Sequence, residues 1–504
     1  MKKIITGLLC SIALTLTVIS VPAMAEESEN PDIFQFYALE AAEESGNSDT
    51  LQFSAGEVPR VYINTNDGIG LALVKQTGYV MADIAVVDTN GYIIHDSGQI
   101  KVRGNSTALA PKKPYNIKFD SKQNVLGMGK AKKWVLLADC YDPTFLRNTL
   151  ALDFSHNIGM PYTSEHSYVE LWLDGVYRGC YEITEPVDDG TSRVNINVDG
   201  NGGMEDFIIQ YEMNRASSNT TYFTADEFRF EIKSPDITSE EQRLYVKNKV
   251  TEIFRIIKTL DFEEIEKVID IDSFAKYYLI NELFKNVDFG YTSAFFYYKN
   301  GILYAGPPWD YDLTAGNLNY NESPNSRLCL DTENLFADNC QFYQYLLECR
   351  DFQNAVRHVY AENFEYCENM YAEGGIIDTI TETYYPLFQR NFDDTDWEIS
   401  KQYTSLMRVP DPDYFENVNY LRNWLRERNQ WLSDYYDIYG DDWFSLGDVD
   451  GNSEISIADA VQLQQYLMSQ RAFSAINLKA SDLNQDGEVD SYDMIKMRKL
   501  IINQ

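Results

Sequence analysis

Asp448-Val-Asp-Gly-Asn-Ser-Glu-Ile-Ser-Ile-Ala-Asp459 and Asp482-Leu-Asn-Gln-Asp-Gly-Glu-Val-Asp-Ser-Tyr-Asp493 are two copies of one pattern, and the second copy begins 34 residues after the first. Oxygen-bearing residues at positions 1, 3, 5, 9 and 12, with a backbone carbonyl at position 7, are the spacing by which a 12-residue loop surrounds a calcium ion. The repeat therefore predicts a small all-α module that binds two calcium ions. Its ligand residues are Asp448, Asp450, Asn452, Glu454, Ser456 and Asp459 in the first loop and Asp482, Asn484, Asp486, Glu488, Asp490 and Asp493 in the second.

The two loops depart from a full EF-hand. Position 12 is Asp instead of the longer Glu, and Ser453 stands where a glycine is usual in the first loop, whereas Gly487 keeps that glycine in the second. With the duplication and the C-terminal position, the segment from Gly447 to about Ile502 resembles the dockerin family. The resemblance implies a cohesin module of a cellulosome-type scaffold protein as partner, chosen in part by positions 10 and 11 of each loop. Those positions hold Ile457, Ala458, Ser491 and Tyr492.

The N-terminus has the features of a secretory signal. Lys2 and Lys3 precede the apolar run Ile4 to Val21, and Ala23-Met24-Ala25 supplies small residues for cleavage. We expect a signal peptide over 1–25, an acidic leader over 26–56, and no membrane insertion, since no later segment offers the ~20 apolar residues of a spanning helix. The expected location is extracellular, or at the cell surface through the scaffold.

The composition limits the chemistry. A formal charge of -36 argues against nucleic acid as a partner, because phosphate backbones require a basic surface. The 4 histidines lack zinc-binding spacing. Acid chemistry must therefore rest on carboxylates. The cysteines that remain after signal removal leave open whether some pair in disulfides.

The order of predicted elements favours an α+β protein. Short strand-like runs begin near Val58 and recur to 119, and Asp174-Gly175 suits the tight turn of a further hairpin. Helical patterns cover 143–159, a capped segment from Thr238 to about Leu260, and 272–285. After two strands within 294–304, helices return over 339–390 and 415–439. We expect a strand-rich N-lobe and a helical C-lobe over 57–440, followed by the calcium module over 447–504.

Three segments upstream concentrate chemically suggestive residues. They are the stretch Lys101 to Lys118, then Asn286-Val-Asp288, then Trp309-Asp310-Tyr-Asp312. A loop rich in Gly, Asn, Ser and Thr can present N–H groups to phosphate. A strand lysine and Mg²⁺ held by carboxylates would neutralise the charge of a transferring phosphoryl group. The segments together are typical of a phosphoryl-transfer site.

The same segments, with Leu146-Arg147-Asn148 and 175–185, resemble the CotH family of secretory kinases, from about Val58 to Gly440. The resemblance implies a two-lobed, kinase-like fold that uses ATP and Mg²⁺ to phosphorylate protein Ser/Thr or another exported acceptor. It gives Asp288 the role of catalytic aspartate and Ser293 the place of a kinase asparagine. The remaining implied roles are phosphate binding by Lys118, Arg103, Asn105 and Ser106, an adenine-side contact for Glu185, and metal binding by Asp310 and Asp312.

Other interpretations stay open at this point. Lys118 and Arg103 alternate with Ile117 and Val102, as residues on the solvent face of a strand do. Asp310 and Asp312 would also suit a helix cap or a structural ion. Since partners of scaffold proteins are mostly plant-wall hydrolases, a carbohydrate-active enzyme of polysaccharide catabolism is one alternative, with its acid pair among the three aspartates. A non-catalytic binding domain carried by the dockerin is the other.

Overall fold

The computed structural model describes residues 58–197, 205–213, 221–319, 329–437, 446–451, 454–471, 473 and 475–502. The predicted signal peptide and leader lie outside the described residues. The chain divides into two units. The first contains the residues up to Ala138, Ser167–Ile183 and Leu387–Asp396, and the second contains Asp139–His166, Thr184–Pro386 and Trp397–Gln504.

Seven strands close into a barrel in the first unit, in the order β1-β2-β3-β4-β5-β7-β6, and β6 lies parallel to β1. The strands are β1 Arg60–Thr65, β2 Val80–Val87, β3 Ile93–Val102, β4 Tyr115–Asn124, β5 Lys130–Leu137, β6 His166–Leu173 and β7 Val176–Thr184. Asp174 and Gly175 have φ of 48° and 76°, which confirms the predicted tight turn between β6 and β7.

One outer face of this barrel is covered by residues 387–396. The ring of Phe388 packs edge-on against Tyr168, and Arg390 forms an ion pair with Glu170. Asn391 Oδ1 accepts the N–H of Cys180 at 2.9 Å. These contacts explain why strand β6 is buried on both faces from Tyr168 to Leu173, with Glu170 paired to Arg390.

The second unit holds a five-stranded sheet in the order β12-β11-β8-β10-β9. Its strands are β8 Phe207–Tyr211, β9 Tyr222–Ala225, β10 Phe228–Ser234, β11 Ala294–Lys299 and β12 Ile302–Ala305, all paired antiparallel. The two predicted strands within 294–304 are confirmed. No element was predicted for 207–234, and this region contributes three strands to the sheet.

Helices make up most of the remainder of the second unit. They are α1 Arg147–Asn157, α2 Glu240–Ile257, α3 Phe262–Ile265, α4 Ile271–Leu283, α5 Tyr343–Leu346, α6 Arg350–Glu362, α7 Phe364–Tyr371, α8 Ile376–Asp393 and α9 Tyr414–Tyr436. The N-cap of α2 is Ser239, which accepts the Gln242 N–H, instead of the predicted Thr238. Helix α2 packs on the sheet through stacked rings, such as Phe254 on Phe228 of β10 at 5.5 Å between ring centroids.

The C-terminal module contains α10 Ile457–Leu467, α11 Ala475–Ser481 and α12 Ser491–Ile502. Its core is formed by Val449, Leu463, Met494 and Met497, against which Ile455 and Val489 pack. These last two residues occupy position 8 of the two loops. The apolar residue at position 8 of each loop thus packs against the same core.

Two further features concern the cysteines and the apolar length of the helices. Cys140, Cys180, Cys329, Cys340, Cys349 and Cys367 are all buried thiols outside any disulfide. Within the described ranges, no helix is both long and apolar enough to cross a membrane.

Candidate functional site

Asp288 lies in a 3-10 turn, Val287–Gly290, shortly after α4. The turn is capped by Asn286, whose Oδ1 accepts the Asp288 N–H at 3.1 Å. The Asp288 carbonyl accepts the N–H groups of Tyr291 and Thr292 at 2.8 and 2.6 Å. The backbone of the predicted catalytic aspartate is therefore held on both sides, while its carboxylate is half-buried.

Asp310 follows the second sheet and contacts the same region. Its φ of +71° places it in the left-handed region, where a residue other than glycine is uncommon. Ser293 Oγ donates to Asp310 Oδ2 at 3.1 Å, and Asn286 Nδ2 donates to the Asp310 carbonyl at 3.4 Å. Ser293, which stands where the resemblance expects a kinase asparagine, thus bonds to the predicted metal-binding aspartate.

The backbone on either side of Asp312 is hydrogen-bonded to two side chains of α1, Arg147 and Asn148. Asn148 Oδ1 accepts the Tyr311 N–H at 2.7 Å, and its amide donates to Asp139 Oδ1 at 2.8 Å. Arg147 pairs with Asp142 and donates Nε–H to the Thr314 carbonyl at 2.9 Å. Arg147 and Asn148 belong to the segment that resembles the CotH family, but these contacts were not predicted from the sequence, and neither were Asp139 and Asp142 as members of the site. Both residues follow shortly after β5, whose segment Trp134–Leu136 is buried, and that position was the available signal.

The carboxylates of this region repel one another. Burial and the charges of Asp310 and Glu212 raise the pKa of Asp288 to about 7. Burial, Asp310 and Asp288 raise the pKa of Asp312 well above its usual range. Burial and mutual repulsion both favour the protonated forms of these carboxylates. Metal binding by Asp310 and Asp312 stays a prediction, since among the described residues the only group of three acidic side chains close enough to hold a metal lies in the first calcium loop. Glu212 accepts the Thr292 hydroxyl at 2.9 Å and was another residue that the sequence analysis missed.

Glu185, the predicted adenine-side residue, is buried and pairs with Arg193 at 3.4 Å. Burial raises the pKa of Glu185 although Arg193 opposes that effect. Its second oxygen accepts the Glu165 N–H at 3.4 Å. Glu185 therefore has a structural role in the fold, as the partner of Arg193 and of the Glu165 backbone, and its contact with adenine stays a prediction.

Lys118 belongs to the first unit, on strand β4 of the barrel. It alternates with buried Ile117 and Phe119, and its cross-strand neighbour on β5 is Lys133. On the next strand, burial, Lys133 and Arg103 lower the pKa of Lys101. Like charges directly across a strand pair are destabilising. This basic barrel face, made of Lys101, Arg103, Lys118 and Lys133, is therefore suited to an anion.

The predicted phosphate loop follows β3. Gly104 has φ of +86°, and a side chain there would come within 2.0 Å of Thr107 Oγ1. Lys75 donates to the Gly104 carbonyl and, at 2.9 Å, to Asn105 Oδ1. Ser106 directly precedes a short 3-10 turn over Thr107–Leu109, and its carbonyl accepts the Leu109 N–H at 3.0 Å. The loop is thus a tight turn whose conformation only glycine accommodates at position 104.

The first calcium loop brings three predicted ligands together. Oxygens of Asp448, Asp450 and Asp459 all lie within 4.8 Å of one another, and this is the one such acidic group among the residues that the structure describes. Asp459 also accepts the N–H groups of Val449 and Ser456 at 2.7 Å each. Ser456 caps α10, Glu454 is exposed, and the predicted ligand Asn452 lies outside the described residues.

The second loop repeats the arrangement at its final position. Asp493, buried like Asp459, accepts the N–H groups of Asn484 and Asp490 at 3.1 and 2.9 Å. Asp482 accepts the N–H of Gly487 at 2.9 Å, and Asp486 accepts that of Glu488 at 3.0 Å. A short aspartate at position 12 therefore ties each loop's start to the first turn of the following helix.

An α+β protein with an acidic cluster and a terminal pair of calcium-type loops is the class that these observations define. Residues 100–432, more than half of the chain, match the family model described as CotH kinase protein, and the chain belongs to that family. Residues 446–502 match the model described as Dockerin type I domain. Both resemblances stated from the sequence are confirmed, and the acidic group of the first loop fits the calcium binding that a dockerin implies.

One curated relative is similar to this chain over 230 residues at 26% identity, the inner spore coat protein H of Bacillus subtilis strain 168. The match covers 43% of this chain and 58% of the relative. The chain thus spans little more than half the length of the curated protein that it matches.

Proposed function

We propose that this protein is an exported phosphotransferase of kinase-like, two-lobed architecture, tethered to a cohesin-bearing scaffold by its calcium-dependent dockerin. The acceptor would be a Ser/Thr side chain or another group on an exported partner. The predicted signal peptide supports export, and the dockerin match supports the tether. The proposed domains are the kinase-like domain over 57–440 and the dockerin over 447–504.

The observation that carries the proposal is the meeting of the predicted carboxylates. Asp288 and Asp310 come from segments separated in sequence, yet the charges of both raise the pKa of Asp312. The charge of Asp310 also raises the pKa of Asp288, and Ser293 donates a hydrogen bond to Asp310. A cation bound there would relieve the repulsion that raises the pKa of Asp288 and Asp312. Asp310 and Asp312 would hold Mg²⁺, and a bound Mg²⁺ would neutralise charge on a transferring phosphoryl group.

The protein's own groups would supply the remaining steps. Ionised Asp288 would accept the proton of the attacking hydroxyl, which its pKa of about 7 permits near neutral pH. Lys118 and Arg103 would bind phosphate oxygens, and the basic barrel face supports this assignment. Asn105 and Ser106, in the turn after β3, would also bind the phosphates. Glu185 would contact the adenine.

The test is a transfer assay with the purified full mature chain and MgATP, measuring phosphate incorporated into the chain itself and into a Ser-rich exported protein. Asp288→Asn and Asp310→Ala should each lower the rate at least ~100-fold, since each removes charge stabilisation or proton transfer. Lys118→Ala should raise KM for ATP. The exposed Asp236→Asn is the matched control and should leave the rate unchanged.

Three outcomes would contradict the proposal. Full activity in Asp310→Ala would remove the metal assignment. Hydrolysis of xylan or cellulose without nucleotide, lost in Asp288→Asn, would support the carbohydrate-active alternative instead. Nucleotide-independent binding of a polysaccharide without turnover would indicate a non-catalytic domain.

A further inference from the structure

The dockerin contacts the CotH domain through helix α6. Asn477 on α11 is 2% exposed and donates through its amide to two acceptors. One is the Val449 carbonyl of the first calcium loop at 2.9 Å, and the other is Glu362 Oε1 at the end of α6 at 3.1 Å. A single buried amide thus joins the backbone of the calcium loop to a carboxylate of the other domain.

Glu362 gathers further partners at the same place. Its Oε1 lies 3.4 Å from Nε2 of His358, one turn earlier on α6, and 3.6 Å from Nη2 of Arg471, which follows α10. Glu362 therefore holds both the α6 side and the dockerin side of the contact. A carboxylate with three such partners is costly to remove, since each partner is left with an unmet charge or donor.

His358 lies directly beneath the first loop. A side chain at Gly451, where φ is +72°, would come within 2.2 Å of His358 Nδ1. Gly451 lies between the predicted ligands Asp450 and Asn452. The loop backbone can rest on the imidazole only because this position has no Cβ.

We propose that His358 and Glu362 form a seat for the first calcium loop and preorganise it, so that calcium binding by this loop and attachment of the dockerin to α6 strengthen each other. The inference rests on the calcium binding assigned to the dockerin. The proposal concerns the first loop, in which Ser453 stands in place of the usual glycine, because in that loop Val449 bonds to Asn477 and Gly451 lies against His358.

The seat leaves other dockerin surfaces accessible. Ile457 and Val461 on α10 are 71% and 46% exposed, and Tyr492 and Ile495 on α12 are 66% and 50% exposed. The seat is formed through α11 and the first loop. Attachment to α6 and capture of a cohesin by α10 and α12 are therefore compatible.

The test measures calcium binding to the full chain by titration calorimetry. His358→Ala/Glu362→Ala should weaken one of the two sites about 5- to 10-fold and leave the other unchanged, which is the size expected of coupling between linked sites. Glu365→Ala is the matched control, because Glu365 is an exposed acid on the neighbouring helix α7. Hydrogen exchange should show slower exchange of α6 amides with calcium than with EDTA in the wild type, and no such difference in the double variant.

A rescue experiment separates contact from general damage. Gly451→Ala should weaken the same site in the wild type. In the His358→Ala background the same substitution should cost at most half as much binding free energy, because the imidazole that the new methyl meets is gone. Equal loss in both backgrounds, or unchanged affinities in His358→Ala/Glu362→Ala, would overturn the seat. A wild-type chain that binds no calcium would instead overturn the calcium assignment on which the seat rests.

Discussion

At the scale of single residues, Asn148 shows how one side chain orders an acidic site. It is buried and bonds through its oxygen to the Tyr311 N–H and through its amide to Asp139. Tyr311 separates Asp310 from Asp312. The amide therefore fixes the backbone between two predicted metal ligands, and we infer that Asn148 is a positioning residue.

We predict that Asn148→Ala lowers the free energy of unfolding by about 1–3 kcal/mol, because a buried N–H and a buried carboxylate each lose a partner. Urea unfolding would measure this loss. In the transfer assay the variant should need more Mg²⁺ for half-maximal rate. Asn157→Ala, at the exposed end of the same helix, should stay within about 0.5 kcal/mol of the wild type. Equal Mg²⁺ dependence in both variants would contradict the positioning role.

Asp288 gives a pH dependence with a defined sign. Its pKa of about 7 lies above the ~3.9 of an unfolded aspartate. The folded, metal-free chain therefore binds more protons between these values, and the free energy of unfolding should fall as pH rises towards 7 and then level off.

This pH effect is measurable by difference. In EDTA, the wild type should lose on the order of 1–2 kcal/mol relative to Asp288→Asn between pH 5 and pH 8, less than the full shift implies because the carboxylate is partly screened by solvent. Asp236→Asn, at an exposed site, should follow the wild type. Parallel curves for wild type and Asp288→Asn would show that Asp288 does not titrate there.

At the scale of elements, a buried ion pair joins α4, α9 and the segment 332–337. Arg428 on α9 and Glu282 on α4 are both fully buried and paired. Arg428 also donates to the carbonyls of Thr332 and Asn334 at 3.0 and 2.9 Å. Glu282 accepts the N–H groups of Phe336 and Ala337 at 2.9 and 2.7 Å. The ion pair thus supplies hydrogen-bond partners for the backbone of a segment that is neither helix nor strand over most of its length.

Arg428→Met should cost about 3–5 kcal/mol of stability, because it leaves the Glu282 carboxylate buried without its counter-charge. Chemical denaturation would measure the loss, and protease sensitivity should increase around 332–337. Arg426→Met on the exposed face of α9 is the matched control, with an expected change within about 0.5 kcal/mol. A variant at position 428 as stable as the control would mean that the pair is dispensable.

At the scale of the whole molecule, the acidic tail should depend on calcium for its fold. Carboxylates crowd both loops, and their repulsion opposes folding until cations neutralise them. Calcium at about 100 times Kd should add roughly 2.7 kcal/mol for a single site. Scanning calorimetry should show a calcium-dependent transition, and hydrogen exchange should assign it to residues 446–502.

Asp448→Ala/Asp482→Ala should abolish that calcium effect and the capture of a cohesin, while phosphotransfer by residues 57–440 persists. Asp67→Ala/Asp120→Ala, which removes two exposed acids from the barrel, should leave the calcium transition in place. Retention of the calcium transition after loss of both position 1 ligands would contradict the loop assignment.

The sequence alone determined the features that depend on local spacing. The calcium loops were predictable because their ligands lie within 12 residues of one another, so the pattern states the geometry directly. The Asp174-Gly175 turn was predictable because two adjacent residues carry its conformation. The α+β class followed from periodicity in the same way.

Tertiary structure alone decided which distant residues meet. Asn148 bonds to Tyr311 across 163 positions, and Asn477 bonds to Glu362 across 115. In the second sheet, β8 likewise pairs with β11, which lies more than 80 positions later in the chain: Tyr211 is the partner of Ala294. Periodicity reports which face of an element is buried, but the partner of a buried polar group depends on how the elements pack. Clusters such as the acidic site and the seat on α6 therefore become visible only in the folded chain.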